Sequence, residues 1–147
     1  MTSYRQIYYH IVFETNGRAD VLIKEHQDAL YKYIWGIIKE NNCVLYRING
    51  VGDHIHILCD LHPMISLGNL VRDVKAGSSK WIKQSGYFPN FKSWRDGYAA
   101  FTCSYLDKDK VINYINNQEE HHRKISFVDE LKTLLKDNNI QYDNRYL

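Results

Sequence analysis

The sequence predicts an α+β fold in which an antiparallel sheet carries helices on one face. Runs of aromatic and β-branched residues alternate with segments of helical periodicity, in the order strand, helix, strand, strand, helix, strand, and further helices follow. The 147 residues are 44% hydrophobic and 24% charged, which is typical of a chain that can bury its own core. We therefore expect a single domain over residues 1–147.

The first half of the chain contains three predicted strands and one helix. The aromatic run from Gln6 to Phe13 predicts a buried strand, and apolar residues at helical spacing predict a helix from about Lys24 to Asn41. Cys43 to Ile48 predicts the second strand, and Val51 or Asp53 to Leu61 predicts the third. The Asn49-Gly50 dipeptide between them is a typical hairpin turn.

The second half of the chain begins with Ser66, a suitable N-cap for a helix that extends to about Gln84. Tyr98 to Ser104 predicts a fourth strand. Asp107 can cap a helix from Lys108 to about His122, and Ser126 can begin a last helix through about Asp137. Two βαβ-like halves joined by a hairpin predict a ferredoxin-like split βαβ sandwich, to which C-terminal helices are added.

Composition limits the classes of function. The net charge of +2 is too small to indicate nucleic-acid binding by itself. The three cysteines lack the spacing of a metal site, and we interpret them as reduced core residues. The chain shows neither a signal peptide nor an apolar span of about 18 residues, so we expect it in the cytoplasm.

His54 and His56 are the first candidates for chemistry. Side chains alternate along a strand, so these two imidazoles face the same way, about 6.6 Å apart along the chain. Such a pair can bind a divalent metal if a third ligand is present, and Asp53 could orient one ring. The alternative is that both histidines merely form hydrogen bonds or lie exposed. The sequence leaves open which face of the sheet carries them.

Tyr114 and Gln118 are the second candidates. Their spacing places both on one stripe of the predicted helix from Lys108 to His122, and the Gln118 amide oxygen is a suitable ligand for a hard cation. We interpret His121 and His122 as solvent-facing residues at the negative end of the helix dipole, with metal ligation as the alternative.

A group of basic residues forms the third candidate. Cations interleaved with aromatic side chains such as Trp81 and Tyr87 suit single-stranded nucleic acid. An equally good interpretation is a solvated helix face beside core aromatics. The predicted DNA contacts on this segment are Arg72, Lys75, Lys80 and Lys83.

Four segments together resemble a known family. They are Tyr8-Tyr9-His10-Ile11-Val12-Phe13, the Gly50 to His56 segment, the Trp94 to Phe101 segment, and the Tyr114 to His122 segment with its Tyr-xxx-Gln-xx-His-His pattern. His54-Ile55-His56 matches an HUH motif, a hydrophobic residue between two histidines. In this order, the segments resemble the small single-tyrosine HUH transposases of bacterial insertion sequences, the IS200-like TnpA type.

The resemblance implies a function for each candidate. His54 and His56 match the metal-binding pair, Gln118 the third ligand and Tyr114 the nucleophile. The family fold is ferredoxin-like, and the family uses Mg²⁺ or Mn²⁺. Its members are homodimers whose active sites are typically shared between subunits. They recognise DNA hairpins and cut and rejoin single-stranded DNA at element ends through a 5′-phosphotyrosine intermediate.

Three alternatives accompany this expectation. The chain could serve a domesticated role like the repeat-associated tyrosine transposases. It could be a non-catalytic ferredoxin-like module that binds single-stranded nucleic acid. It could also be a metal-dependent hydrolase with Tyr114 as an acid. A covalent protein–DNA adduct discriminates between a transposase and the last two.

Overall fold

A four-stranded antiparallel sheet forms the centre of the computed structural model, which describes residues 3–147. The strands are β1 (Tyr8–Glu14), β2 (Val44–Val51), β3 (His54–Asp60) and β4 (Ala99–Cys103), and their order across the sheet is β2-β3-β1-β4. All neighbouring strands are antiparallel. This order confirms the predicted ferredoxin-like α+β fold.

Two helices, α1 (Gln27–Glu40) and α2 (Leu67–Ser85), cover one face of the sheet. The Ser66 hydroxyl accepts a hydrogen bond from the Asn69 backbone N–H at 3.1 Å and so caps α2, as its sequence predicts. Apolar side chains from both helices pack on every second residue of the central strands. The core between these layers includes Ile11, Leu30, Ile34, Ile55, Ile57, Leu70 and Val74.

The C-terminal helices α3 (Lys108–Asn116), α4 (Gln118–His122) and α5 (Phe127–Asp137) cover the other face of the sheet. Ile115 of α3 is buried with Tyr8 and Leu58, and three residues of α5 form a second cluster with β1 and β4. Alternation along the strands turns the histidines of β1 and β3 away from α1 and α2. They therefore lie on the face that α3, α4 and α5 cover.

The predicted helix from Lys108 to His122 is interrupted at Asn117, whose backbone has φ −94° and ψ 17°. The Asn49 side-chain amide donates to the carbonyl oxygens of Ile115 at 3.0 Å and Asn116 at 3.2 Å. These two carbonyls accept hydrogen bonds from a neighbouring strand, so α3 ends there and α4 starts in a new direction.

The predicted turn at Asn49-Gly50 is wrong, because β2 continues to Val51 and Val51 pairs with His54. The turn is Gly52-Asp53, which is also a dipeptide typical of two-residue hairpins. A Cβ on Gly50 would lie 2.2 Å from the His54 carbonyl oxygen, so this glycine permits close pairing of the strands rather than a turn.

The remaining boundaries differ from the predictions by only a few residues. Helix α1 begins later than predicted because residues Lys24–His26 form a 3₁₀ turn. All three cysteines are free, with Cys43 and Cys59 buried and Cys103 partly buried. Within residues 3–147, none of the helices combines the length and the apolar character that crossing a membrane requires.

Candidate active site

A cluster of buried polar side chains lies between the sheet and the C-terminal helices. His54 and His56 come from β3, Gln118 comes from α4 and Glu130 comes from α5, and each of them is at most 1% exposed. The partly buried Tyr114 of α3 borders the cluster. Polar groups at this depth require partners within the protein, so the contacts among them define the site.

One carboxylate oxygen of Glu130 forms the centre of this cluster. Glu130 Oε1 lies 3.2 Å from His54 Nε2, 3.0 Å from His56 Nε2 and 2.9 Å from His122 Nε2. Three imidazoles therefore converge on a single oxygen atom of α5.

The second carboxylate oxygen of Glu130 faces the tyrosine. Tyr114 donates its hydroxyl hydrogen to Glu130 Oε2, and the Gln118 amide nitrogen donates to the same oxygen at 2.9 Å. The Gln118 amide oxygen then lies 3.0 Å from His54 Nε2. One carboxylate thus separates the phenolic oxygen from the imidazoles.

Each imidazole has a second partner at its other nitrogen. His54 Nδ1 lies 2.6 Å from Asp53 Oδ1, which is the orienting contact that the sequence suggested, and His122 Nδ1 donates to the Ile125 carbonyl at 2.9 Å. His56 Nδ1 lies 2.8 Å from His10 Nε2. These contacts fix the orientation of all three rings toward Glu130.

The environment shifts the pKa of several of these groups. Burial favours the neutral form of His54, but hydrogen bonds with Asp53 and Glu130 outweigh it and raise its pKa to about 9. For His56, burial dominates and lowers the pKa to about 4 despite the contact with Glu130. Burial and the neighbouring His56 lower the pKa of His10 to about 3.

The pKa values of the two acidic groups, Glu130 and Tyr114, shift in opposite directions. Burial would raise the pKa of Glu130, but hydrogen bonds from His122, His54 and His56 hold it well below the usual range of a carboxyl group. Burial and the Glu130 carboxylate raise the pKa of the Tyr114 phenol. At neutral pH the site therefore holds an ionised carboxylate beside a protonated phenol.

The structure brings together all four residues predicted for catalysis and metal binding: His54, His56, Tyr114 and Gln118. They meet within one chain. His122 is turned toward Glu130 and is not solvent-facing, contrary to our interpretation of the sequence. Its neighbour His121 is partly exposed, and its Nε2 lies 3.4 Å from Glu130 Oε2.

Glu130 is the central residue that our sequence analysis missed. Its position carries a signal, because it falls on the same helical stripe as Phe127, Leu131 and Leu135, all of which are buried. A carboxylate on the apolar face of a helix requires a polar partner within the core. The amphipathic pattern of α5 therefore contains the information needed to identify Glu130 as a candidate site residue.

The basic residues predicted to contact DNA lie on α2, on the opposite face of the sheet from this cluster. Arg72, Lys80 and Lys83 are exposed, whereas the Lys75 ammonium group donates to the backbone carbonyls of Arg95, at 2.8 Å, and Gly97. The nearby aromatic residues Phe88, Phe91 and Trp94 belong to the core. Binding of DNA by α2 remains a prediction.

Comparison with known proteins identifies the family. The family model described as "Transposase IS200 like" matches residues 3–118, which is most of the chain and includes His54, His56, Tyr114 and Gln118. The chain belongs to the IS200-like transposase family. The resemblance noted from the four sequence segments is thereby confirmed.

Two curated relatives show how far this transposase resembles other members. It is 23% identical over 122 residues to the ISDra2 transposase TnpA of Deinococcus radiodurans, covering 78% of this chain and 86% of the relative. It is 26% identical over 120 residues to the transposase for insertion sequence element IS200 of Salmonella typhimurium, covering 78% of each chain.

Two solved structures share the fold of this transposase. A crystal structure of a transposase candidate from Deinococcus radiodurans R1 superposes with a TM-score of 0.63 at 23% identity, over 80% of this chain and 95% of the other. A REP-associated tyrosine transposase bound to a REP hairpin superposes with a TM-score of 0.58 at 16% identity, over 83% of this chain and 74% of the other. His122 and Glu130 follow the segment that the family model matches.

Proposed function

We propose that this transposase cleaves and rejoins single-stranded DNA at the ends of its genetic element, with Tyr114 as the nucleophile. The observation that supports this proposal most directly is the position of the Glu130 carboxylate. One of its oxygens accepts a hydrogen bond from the Tyr114 hydroxyl, and the other faces the imidazoles of His54 and His56. A phenol beside a potential metal site suits the formation of a covalent phosphotyrosine.

The donor set fits a divalent cation. Asp53 is an acceptor, so His54 presents an N–H to it and, when neutral, directs the lone pair of Nε2 toward the Gln118 amide oxygen at 3.0 Å. His54, His56 and Gln118 would hold the Mg²⁺ or Mn²⁺ that the family resemblance implies. A bound dication would offset the negative charge that develops on the scissile phosphate.

The residues of the chain account for the remaining chemistry. The Tyr114 oxygen attacks the phosphorus and forms a bond to it, while its proton passes to Glu130 Oε2, the acceptor already in contact with it. The bond between phosphorus and the 3′ oxygen breaks, and this oxygen takes a proton from water. The products are a 5′-phosphotyrosine and a free 3′-OH.

The same link permits rejoining. A phenol with a pKa of about 10 is a far better leaving group than an alkyl alcohol, so the 3′-OH of another strand can displace it. The Glu130 carboxyl then returns its proton to Tyr114, and the attacking 3′-OH gives its own proton to water. The bond energy stays in the phosphotyrosine, so no nucleotide cofactor is needed.

The proposed partners are a DNA hairpin and a second copy of the chain. One similar structure is a tyrosine transposase bound to a REP hairpin, which supports a hairpin as the recognised element. One tyrosine per site makes one cut, so cutting both ends of an element requires a homodimer. Tyr114 meets the histidines of its own chain, which supports cleavage in cis. Such a protein would act in the cytoplasm.

The decisive experiment incubates the protein with single-stranded DNA from the ends of its own element in the presence of Mn²⁺. We expect an adduct that survives a denaturing gel and that peptide mass spectrometry locates at Tyr114. A non-catalytic binding module would leave the DNA uncut. A hydrolase would release cut DNA without a protein link, and either result would refute the proposal.

A further inference from the structure

When they are neutral, as metal ligands must be, two of the imidazoles direct a lone pair at the centre of the site. His122 Nδ1 faces the Ile125 carbonyl at 2.9 Å and His54 Nδ1 faces Asp53 at 2.6 Å, and only an N–H can bind these acceptors. In a neutral imidazole the other nitrogen is then the acceptor. Nε2 of both rings is therefore free to bind a cation.

The atoms opposite these nitrogens are also acceptors. Glu130 Oε1 lies 2.9 Å from His122 Nε2 and 3.2 Å from His54 Nε2. The Gln118 amide nitrogen is directed at Glu130 Oε2 at 2.9 Å, which leaves its amide oxygen facing His54. With both rings neutral, these atoms are all acceptors, and a cation that takes the place of the imidazole protons would bind to them.

The spacing of these atoms matches a coordination sphere. Ligand atoms about 2.1 Å from a cation and at right angles to one another lie about 3.0 Å apart. Glu130 Oε1 lies 2.9 to 3.2 Å from three imidazole nitrogens, and one ligand atom each from His54, His122 and Glu130 lies within 4.8 Å of the others. Only small movements would be needed to bind an ion.

The contacts behind the rings are those typical of metal ligands. Ligating histidines usually donate their second N–H to a carboxylate or a backbone carbonyl, which fixes both tautomer and orientation. Asp53 supplies a carboxylate for His54 and Ile125 supplies a carbonyl for His122. The ring of His122 is therefore held in the same way as the ring of His54, which belongs to the predicted metal-binding pair.

We propose that His122 and Glu130 bind the same cation as His54 and His56, and that the complete site prefers Mn²⁺ to Mg²⁺. This inference deepens the metal-assisted function proposed above and rests on it. Imidazole nitrogens suit first-row transition dications, whereas Mg²⁺ prefers oxygen ligands and retains water. Three imidazoles and one carboxylate thus form a different site from the two histidines and one amide that the family resemblance implies.

The C-terminal helices would then contribute directly to the active site. Glu130 Oε1 would face the cation while Oε2 continues to accept the Tyr114 hydroxyl, so one side chain would set the position of the nucleophile relative to the metal. Both new ligands lie beyond residues 3–118, the segment that the family model matches. The ligand set of this chain would thus extend into α4 and α5.

Metal affinity without DNA tests the proposal. Titration followed by Mn²⁺ electron paramagnetic resonance should show at least about tenfold tighter binding of Mn²⁺ than of competing Mg²⁺. Glu130→Gln and His122→Asn should each weaken Mn²⁺ binding about tenfold or more. Asp129→Asn, which removes an exposed carboxylate from the adjacent position, and His62→Asn, which alters a histidine outside the site, should bind as the wild type does.

Electron spin echo measurements on the Mn²⁺ complex give a second readout, and for the wild type this readout does not depend on how well any variant folds. The wild type should show three coordinated imidazole nitrogens, and His122→Asn should show one fewer. Two nitrogens in the wild type would overturn the proposed ligand set. Unchanged affinity in both Glu130→Gln and His122→Asn would overturn it too, and equal affinity for Mg²⁺ and Mn²⁺ would overturn the preference.

These outcomes are distinguishable from failure of the proposed function. A site restricted to His54 and His56 would leave formation of the Tyr114 adduct intact. Conversely, tight Mn²⁺ binding through His122 and Glu130 without any adduct would refute the transposition chemistry and retain the metal site.

Discussion

The side chain of Asn49, on β2, donates a hydrogen bond to the carbonyl of Ile115 at 3.0 Å. Ile115 directly follows Tyr114, and a second bond from the same amide to Asn116 at 3.2 Å reinforces the contact. Strand β2, which pairs with the strand β3 that carries His54 and His56, therefore holds the end of α3, the helix that carries Tyr114. This contact fixes where Tyr114 lies relative to His54 and His56.

Replacing Asn49 should impair the reaction without changing any residue of the proposed chemistry. Asn49→Ala removes the hydrogen bonds to the part-buried Ile115 carbonyl and to the exposed Asn116 carbonyl, at a cost of about 0.5–1.5 kcal/mol, and frees the end of α3. We expect the rate of adduct formation to fall about tenfold or more on a denaturing gel. Asn90→Ala, in an exposed loop, is the control, and an unchanged rate in Asn49→Ala would contradict the positioning role.

Tyr114→Phe should abolish the covalent protein–DNA adduct and leave binding of the hairpin intact. The change removes only the phenolic oxygen, the proposed nucleophile, while the ring keeps its contacts with the rings of His10 and His56. Adduct formation is measured on a denaturing gel and hairpin binding by gel shift. Tyr105→Phe, at an exposed tyrosine, is the control. Full cleavage by Tyr114→Phe would exclude the assigned role.

Removing the metal or either histidine of the HUH motif should stop cleavage. His54→Ala or His56→Ala deletes a proposed metal ligand, and chelation with EDTA removes metal ions from an intact protein. We expect cleavage to be lost in all three cases and to return only when Mn²⁺ or Mg²⁺ is added back to the chelated wild type. Normal cleavage in His54→Ala or His56→Ala would show that the pair does not share a metal.

The apoprotein should lose stability as the pH falls below about 6.5. His10 and His56 have pKa values lowered to about 3 and about 4, so in this range the unfolded chain takes up protons that the folded chain excludes. The pKa of His54 is raised to about 9, so the contribution of His54 to the free energy of unfolding is constant below pH 6.5. Each proton that the folded chain excludes lowers the free energy of unfolding by about 1.4 kcal/mol for every unit by which the pH falls.

Urea unfolding in EDTA between pH 6.5 and 5 measures this dependence. His10→Gln can retain a hydrogen bond to His56 but cannot take up a proton, so the slope of unfolding free energy against pH should decrease by about 1.4 kcal/mol per unit. A His62→Gln control should keep the wild-type slope, because His62 lies outside the site. An identical slope in His10→Gln would show that His10 is not held neutral.

Gly50→Ala should destabilise the protein, whereas Gly36→Ala should stabilise it. The new Cβ at position 50 would lie 2.2 Å from the His54 carbonyl oxygen and force β2 away from β3, a change we expect to cost about 2 kcal/mol or more. A Cβ at position 36, inside α1, meets nothing within 4 Å and should add about 0.5–1 kcal/mol. Thermal denaturation compares the two, and equal stabilities would contradict the close pairing at Gly50.

The local patterns that sequence analysis uses predicted most of the fold. Strand alternation placed His54 and His56 on one face, and the spacing of four residues placed Tyr114 and Gln118 together. The same patterns failed at Asn49-Gly50 and at Asn117. At the first of these positions the dipeptide has the chemistry of a turn, but pairing with β3 and the contact with α3 stabilise an extended strand.

Motifs formed by residues close together in the chain were enough to predict the succession of strands and helices, the family, and the histidine pair, tyrosine and glutamine as candidate site residues. Which face of the sheet carries the imidazoles, and which residues complete the candidate site, depend on how distant segments pack together. Glu130 lies 74 positions from His56, and their contact depends on how α5 packs against the sheet. The periodicity of α5 marks Glu130 as buried but does not identify a partner so far away in the chain, so folding in three dimensions brings that carboxylate to the histidines.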